Sequence, residues 1–257
     1  MQRPSVVNPA AAFGAASAAG VAPSSANPRR VKIRSFVTAL RRRRRPVRFG
    51  SFGGTAPVGA LWGYDRGTPV DRWYIERFLA QHRDDIRGHV LEVKDSGYSE
   101  RFGRDIVEYG VLDIDPDNAQ ATYVADVTTC AGIPSDRFDC LVLTQTLQYV
   151  YDLRAAVDSI HRILRPGGVV LVTVPVTSRL VPLPVTDYWR LTPLAAERLF
   201  AERFGGAAVV AKGRGNVLAQ VAFLEGLAAD ELRSRDLEVD DPAFPLLACV
   251  RAQKSLA

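Results

Sequence analysis

Cysteine is scarce and scattered: Cys130, Cys140 and Cys249 are the only three in the chain, and no two form a CxxC pair. That excludes a disulfide framework and a thiolate metal site, so no metal is expected, and a reducing cytoplasmic setting is the expectation. Histidine is as sparse, with only His82, His89 and His161, none placed where a catalytic base would be sought. No uninterrupted apolar run approaches the ~20 residues that cross a bilayer, so any membrane contact is expected to be peripheral. A G-x-G-x-x-G sequence after a strand is missing too, which argues against a nicotinamide dehydrogenase. Acidic residues are absent from the first 64 positions, which hold eleven Lys and Arg. From Asp65 onward 22 basic residues face 28 acidic ones, so the net charge of +5 belongs to the N-terminal segment. A body of net negative charge is poorly suited to gripping a nucleic-acid backbone.

What is present reads as a globular α/β chain with an appendage. At 257 residues, 47% of them hydrophobic and 24% charged, the chain can bury a sizeable core. Residues 1–50 are read as a basic tail. Its opening is rich in Ala, Ser and Pro without apolar periodicity, and disorder is the expectation. The acid-free, Arg-containing character also overlaps with organelle transit sequences. Within "VKIRSFVTALRRRRRPVR", Ile33, Phe36, Val37 and Leu40 fall at helical spacing before the run from Arg41 to Arg45. Such a helix can lie on an anionic membrane surface, or the tail can simply be solvated; both readings stay open.

Residues 51–86 carry "TPVDRWYIERFL". Its pattern predicts a helix with Thr68 as N-cap, Pro69 at the first helical position and Asp71 completing a capping-box-like arrangement. Ile75, Phe78 and Leu79 form the apolar face. Residues 87–257 then show strand-like runs at 89–93, 110–114, 121–125, 138–143, 169–174, 207–211 and 246–250, with helical stretches at 152–164, 192–203 and 215–228. Short, nearly all-apolar strands such as "CLVLT" and "VVLVTV", alternating with amphipathic helices, predict a parallel sheet covered on both faces. "HRILRPGG" is read as a helix end turned sharply by two glycines into the next strand.

In an open parallel sheet ligands bind beyond the carboxyl ends of the strands. Glu92 lies in the first strand, Asp113 closes the second 21 positions later, and Asp126 follows the third. An acid at that interval is suited to accept both hydroxyls of a ribose.

The segments "VLEVKDSGYSERFG", "VLDIDP" and "VADVTTCAGIPSDRFDCLVLTQTLQYVYDLRAAVDSIHRILRPGGVVLVTVP" resemble, in order, the motifs of the class I S-adenosylmethionine-dependent methyltransferases, in particular the group with a type 11 methyltransferase domain. The resemblance implies a Rossmann-like, doubly wound, mostly parallel seven-stranded sheet with helices on both faces, and S-adenosyl-L-methionine as cofactor. By this likeness Glu92 and the following loop, including Asp95 and Gly97, face the methionine part of the cofactor. Asp113 holds the ribose, Asp126 reaches the adenine amino group, and Gln145 of "TQTLQYV" joins the cofactor-binding set. "WGYDRGTPVDRWYIERFL" and "DYWRLTPLAAERLF" resemble features of a bacterial subgroup found near glycosyltransferases, which implies a small-molecule or glycan-related acceptor.

For methyl transfer to a hydroxyl, Asp187 is the candidate base, with Tyr188 beside it and Trp189 and Arg190 shaping the acceptor pocket together with Tyr64. The alternative is that Asp187 pairs with Arg190 or caps the helix near Thr192 while Trp189 packs in the core. Arg66 can pair with the cofactor carboxylate through its bidentate fork, or form a structural salt bridge. Where such enzymes carry Gly-x-Gly after the first acid, this chain has Lys94 and Ser96. Lys94 can swing to solvent or crowd the site. Two readings follow: an enzyme with a variant loop, supplemented by Asp95 and Tyr98, or a methyltransferase-like scaffold that has lost its cofactor.

Overall fold

The computed structural model describes residues 50–182 and 185–256. The readings for the basic tail, its amphipathic helix and its membrane contact lie outside the described residues. Two units divide the chain, Met1–Gly50 and Ser51–Ala257, and every element below belongs to the second.

Seven strands form one sheet: β1 Gly88–Val93, β2 Ile106–Asp113, β3 Tyr123–Val124, β4 Phe138–Thr144, β5 Leu164–Pro175, β6 Val209–Arg214 and β7 Leu247–Gln253. Their order is β3-β2-β1-β4-β5-β7-β6. β1 to β5 run parallel, and β7 is antiparallel to both β5 and β6. The helices are α1 Val70–Gln81, α2 Gly97–Phe102, α3 Leu153–Ile163, α4 Pro193–Phe204, α5 Val217–Leu224 and α6 Ser234–Leu237.

Alternate residues of the strands feed two cores, because successive side chains point to opposite faces. Leu91, Leu141, Leu143, Val170 and Val172 meet Ala156, Val157 and Ile160 of α3 and Phe200 of α4 on one face. Val90, Cys140, Val142, Val169 and Leu171 meet Ile75, Phe78 and Leu79 of α1 and Phe223 of α5 on the other. Burial on both sides is why these strands read as unbroken apolar runs. The chain leaves β1 toward β2 and β3 on one side and continues from β4 to β5 on the other, so the order reverses between β1 and β4. A crevice is expected there, beyond the strands' carboxyl ends.

Three local expectations need correction. The N-cap of α1 is Pro69, with no side-chain cap; Thr68 is instead drawn into a long-range pairing, its carbonyl accepting from Ala229 N at 2.7 Å while Pro69 bridges Ala228. The helix in "HRILRPGG" does end there, but earlier than "RPGG": α3 stops at Ile163, and Arg165–Gly168 already belong to β5, where the register against β4 slips between Phe138 and Cys140. The helix read at 215–228 is confined to Val217–Leu224, set between Gly215 (φ +107°) and Gly226 (φ +71°). Glycine is required at Gly63 (φ +100°), where an added Cβ would sit 2.5 Å from Leu227 O. That close approach holds the segment before α1 against the turn after α5.

Candidate functional site

An open cleft of about 1390 Å³ lies at the carboxyl ends of β1, β2 and β4, walled on one side by residues 64–76 and on another by residues 185–188. It brings together Glu92, Asp95, Gly97, Asp113, Asp126, Gln145, Tyr64 and Tyr188 from the sequence-derived set. Arg66, Asp187, Trp189 and Arg190 are not among the residues that line it.

The loop after β1 is built around Glu92. This carboxylate is 3% exposed, and its oxygens accept from Tyr98 N (3.2 Å), Ser99 N (2.7 Å) and Ser99 Oγ (2.6 Å), which anchors the first turn of α2 to the strand. Burial pushes the Glu92 carboxyl up to about 7, against the hydrogen bonds from Ser99 and Tyr98 that favour its charged form. Glu92 therefore shapes the loop, with three of its roughly four acceptor sites taken. Lys94 has φ +80°, the left-handed region that favours glycine. Its N–H donates to Leu112 O at 2.9 Å and its carbonyl accepts from Asn118 Nδ2 at 2.7 Å, so neighbours on both sides hold the backbone there. The lysine thus follows the path a glycine would take, and its side chain is exposed. Asp95 Oδ1 accepts from Gly97 N at 2.9 Å and closes the turn.

At the end of β2, Asp113 is half-buried and accepts from Asp115 N (3.1 Å) and Asn118 Nδ2 (2.6 Å). Asn118 thereby ties the β1 and β2 loops together, a link the sequence reading missed. Asp126 is exposed and accepts from Thr128 N at 2.7 Å. Gln145, after β4, also has a left-handed φ of +48°. Its carbonyl and Oε1 both accept from Gln148 Nε2 at 2.9 and 3.2 Å, and its own Nε2 is buried without a hydrogen-bond partner among the described residues. An unsatisfied buried donor in a cleft wall is costly unless something else takes the hydrogen bond.

Four sequence-derived assignments are corrected by geometry. Asp187, with a side chain only 4% exposed, is gripped by Arg190 at 2.6 and 2.9 Å and accepts from Val181 N at 3.1 Å. The bond from Arg190 holds its carboxyl below the usual range, which is the opposite of what a general base needs. Arg190 is thereby occupied as well, also donating to Arg179 O at 2.8 Å. Trp189 is spent on structure: Nε1 donates to Val150 O at 2.9 Å and the ring lies against Tyr151. Arg66 pairs with Glu231, Nε to Oε2 at 2.9 Å. Arg66 does not line the cleft, whereas Arg72 of α1 does. A cation three and seven residues before Ile75 and Leu79 was the available signal.

Asp187→Asn is expected to lower stability by about 1–2 kcal/mol near neutral pH. The wild-type pair works while Asp187 is charged, so its contribution is full above the unfolded carboxylate value and fades as pH falls through the lowered native value. Thermal melts of both proteins from pH 7 to pH 3 should therefore converge at the acid end. A pH–rate profile altered by the substitution would restore Asp187 as a base.

Residues 90–172 match the family model described as a methyltransferase domain. The chain carries a methyltransferase domain. That domain takes in β1 to β4, most of β5, α2 and α3. Residues 64–76 and 185–188 lie outside it. No curated protein matches the chain. Among solved structures, an S-adenosylmethionine-dependent methyltransferase from Archaeoglobus fulgidus is similar at 12% identity over 71% of this chain and 94% of that one, TM-score 0.47. One from Mesorhizobium loti is similar at 15% identity over 72% and 100%, TM-score 0.47. Phosphoethanolamine N-methyltransferase 2 from Haemonchus contortus, in complex with S-adenosyl-L-methionine, is similar at 13% identity over 71% and 53%, TM-score 0.46. Among the described residues no group of three or more His, Cys, Asp or Glu could hold a metal, and no helix is long and apolar enough to cross a membrane.

Proposed function

We propose that this protein transfers a methyl group from S-adenosyl-L-methionine to a hydroxyl of a small-molecule or glycan-related acceptor. The observation that carries the reading is the backbone at Lys94: with φ +80° it keeps the course of a glycine loop, and the cleft stays open between Glu92 and Asp113. The donor set fits the cofactor. Asp113 offers a carboxylate for ribose hydroxyls, Asp126 one for the adenine amino group, and Gln145 Nε2 a buried donor in want of an acceptor.

When bound, the cofactor supplies an electrophilic methyl on a sulfonium, and the residues of this chain bind, orient and exclude. Displacement is in line, so the chief task is to hold the acceptor oxygen against the methyl carbon. Tyr64, Tyr149, Tyr151 and Tyr188 line the cleft, with Tyr151 and Tyr188 edge to face at 5.3 Å. Such rings present apolar faces and hydroxyl tips, a combination that suits a polar acceptor with C–H surfaces. With Asp187 engaged elsewhere, Tyr188 positions the acceptor and no carboxylate of the "DYWR" segment takes its proton.

The opposing reading, a scaffold that has lost cofactor binding, makes the contrary prediction in a binding experiment. Titration calorimetry and thermal shift with S-adenosylmethionine and S-adenosylhomocysteine are expected to show micromolar binding and a rise of the melting temperature. Ligand at 100 times Kd adds about 2.7 kcal/mol. Absence of heat and of any shift with both ligands would leave the scaffold.

A further inference from the structure

Helix α5 inverts the pattern of a water-facing helix. Gln220 is the only polar residue in "VLAQVAFL", and its amide turns toward the protein, Nε2 donating to Thr177 Oγ1 at 3.0 Å and to Pro245 O at 2.8 Å. Val217, Leu218, Val221 and Leu224 are left between 38% and 51% exposed. A helix apolar on every side is expected to be covered on every side. Here only Ala219, Ala222 and Phe223 are buried.

The apolar surface continues past the helix. Gly59 N donates to Glu225 O at 2.8 Å and Val58 N to Glu225 Oε2 at 3.2 Å, so the segment before α1 runs beside the end of α5. Arg179 Nη1 and Nη2 reach Gly59 O and Ala60 O at 3.4 and 3.3 Å, which brings in the segment after β5. These segments add Leu61, 55% exposed, and Leu180, 69% exposed. Residues 50–64 and α5 hold no charged side chain, and residues 176–186 hold only Arg179. The bordering acids are engaged, Glu225 by Val58 N and Asp240 by Arg214 Nη1 at 2.8 Å. Single exposed apolar residues are ordinary; a joined face drawn from three segments, with no carboxylate in any of them, marks a contact surface.

The charge of the chain indicates what covers it. The first 64 residues carry eleven Lys and Arg and no Asp or Glu, and Arg41–Arg45 lie a short way before Val58 in the sequence. An apolar face close along the chain to a polybasic run suits a layer of anionic lipid, whose acyl boundary takes the apolar side chains and whose headgroups take the cations. A second copy of the chain would bring only more positive charge of the same kind.

We propose that the face formed by α5, Leu61 and Leu180 docks on an anionic lipid surface. The contact is peripheral, since no helix among the described residues is long and apolar enough to cross a membrane. Tyr64 and Val185, shortly after Leu61 and Leu180, line the cleft, so docking sets the cleft mouth beside the headgroup layer. The proposal does not depend on methyl transfer or on the identity of the acceptor.

The test is sedimentation of the full chain with vesicles of phosphatidylcholine, alone or with about one third phosphatidylserine. Wild-type protein is expected to partition onto the anionic vesicles about tenfold better or more. Val221→Glu combined with Leu224→Glu, both at exposed positions, should lower that partition about 100-fold and leave the melting temperature unchanged. Leu61→Gln with Leu180→Gln, outside the helix, should lower it about tenfold, and keeps the test decisive should the helix variant fold poorly. Insertion is read from a polarity-sensitive fluorophore on Val221→Cys, which it labels selectively because Cys130, Cys140 and Cys249 are buried. Its emission should move to the blue on anionic vesicles.

Vesicle binding that neither set of substitutions weakens would overturn the proposal, by assigning the contact to the N-terminal cations alone. An unmoved emission on vesicles that do carry the protein would overturn it too. So would failure to bind either kind of vesicle; a dimer in analytical ultracentrifugation that Val221→Glu with Leu224→Glu dissolves would then give the face to a second copy.

Discussion

Glu92→Ala is expected to cost about 3–4 kcal/mol of stability and to abolish cofactor binding. The carboxylate takes three hydrogen bonds from Tyr98 N, Ser99 N and Ser99 Oγ, and Ser99 is only 1% exposed. Alanine leaves those donors without partners in a place water reaches poorly. The same bonds fix the start of α2, so the turn through Lys94 and Asp95 loses its anchor as well. Glu92→Gln keeps one acceptor oxygen and should be milder, and the pair of variants distinguishes lost bonds from lost charge.

A pH dependence accompanies this. Burial raises the native Glu92 carboxyl to about 7 from the ordinary 4.5. Between those values the unfolded chain releases its proton while the folded protein retains it, so this group makes the folded state progressively less favourable as pH rises, by up to about 3 kcal/mol. Below 4.5 both states are protonated and the term vanishes; above 7 it is constant. The stability of Glu92→Gln relative to wild type should therefore climb from pH 4.5 to pH 7 in denaturant titrations. A difference that stays flat over that range would show that the carboxyl titrates normally.

Asp113→Ala is expected to weaken S-adenosylhomocysteine binding by about 100- to 1000-fold, the worth of two hydrogen bonds from ribose hydroxyls to a carboxylate. Its effect on stability should be small, within about 1 kcal/mol, because Asp115 is exposed and Asn118 half-buried, and water can replace the lost acceptor. Calorimetry with S-adenosylhomocysteine measures the first effect and thermal melting the second. A loss in affinity below about fivefold would remove Asp113 from the ribose site. Glu92 and Asp113 thus separate by readout: one fails by unfolding the loop, the other by failing to hold the ligand.

The runs read from the sequence overlap all seven strands; the central ones are nearly continuous in apolar residues because they are buried on both faces, with Glu92 and Thr173 the buried polar exceptions. Orientation is another matter. β7 looks like the other strands, "LLACV" being as apolar as they are, yet it enters antiparallel between β5 and β6. Its direction follows from the route of the chain through α5 and α6, which its own composition does not encode. "RPGG" carries ordinary helix-ending residues, and only the register slip opposite Phe138 and Cys140 makes them the start of a strand.

The acids at the ends of β1, β2 and β3 were legible for the same reason the strands were. Periodicity locates a strand's end, and a polar residue there must face the crevice. Lys94 shows the limit: a lysine in a glycine position signals a damaged loop by residue type, while hydrogen bonds from Lys94 to Leu112 and from Asn118 to Lys94 hold its backbone in the left-handed region all the same.

Residue order alone therefore decided the layered α/β architecture and that Glu92, Asp113 and Asp126 border the cleft, because both follow from apolar spacing over a few residues; Glu76, Asp115 and Asp152 also line it and carried no such signal. Tertiary structure alone decided which charged side chains are free to act. Arg66 is claimed by Glu231, 165 residues away, and Arg72 is bonded to Tyr64 and to Tyr98, 26 residues on. A guanidinium bonds with whichever acceptor the fold brings within about 3 Å, and nothing in its local sequence says which that is.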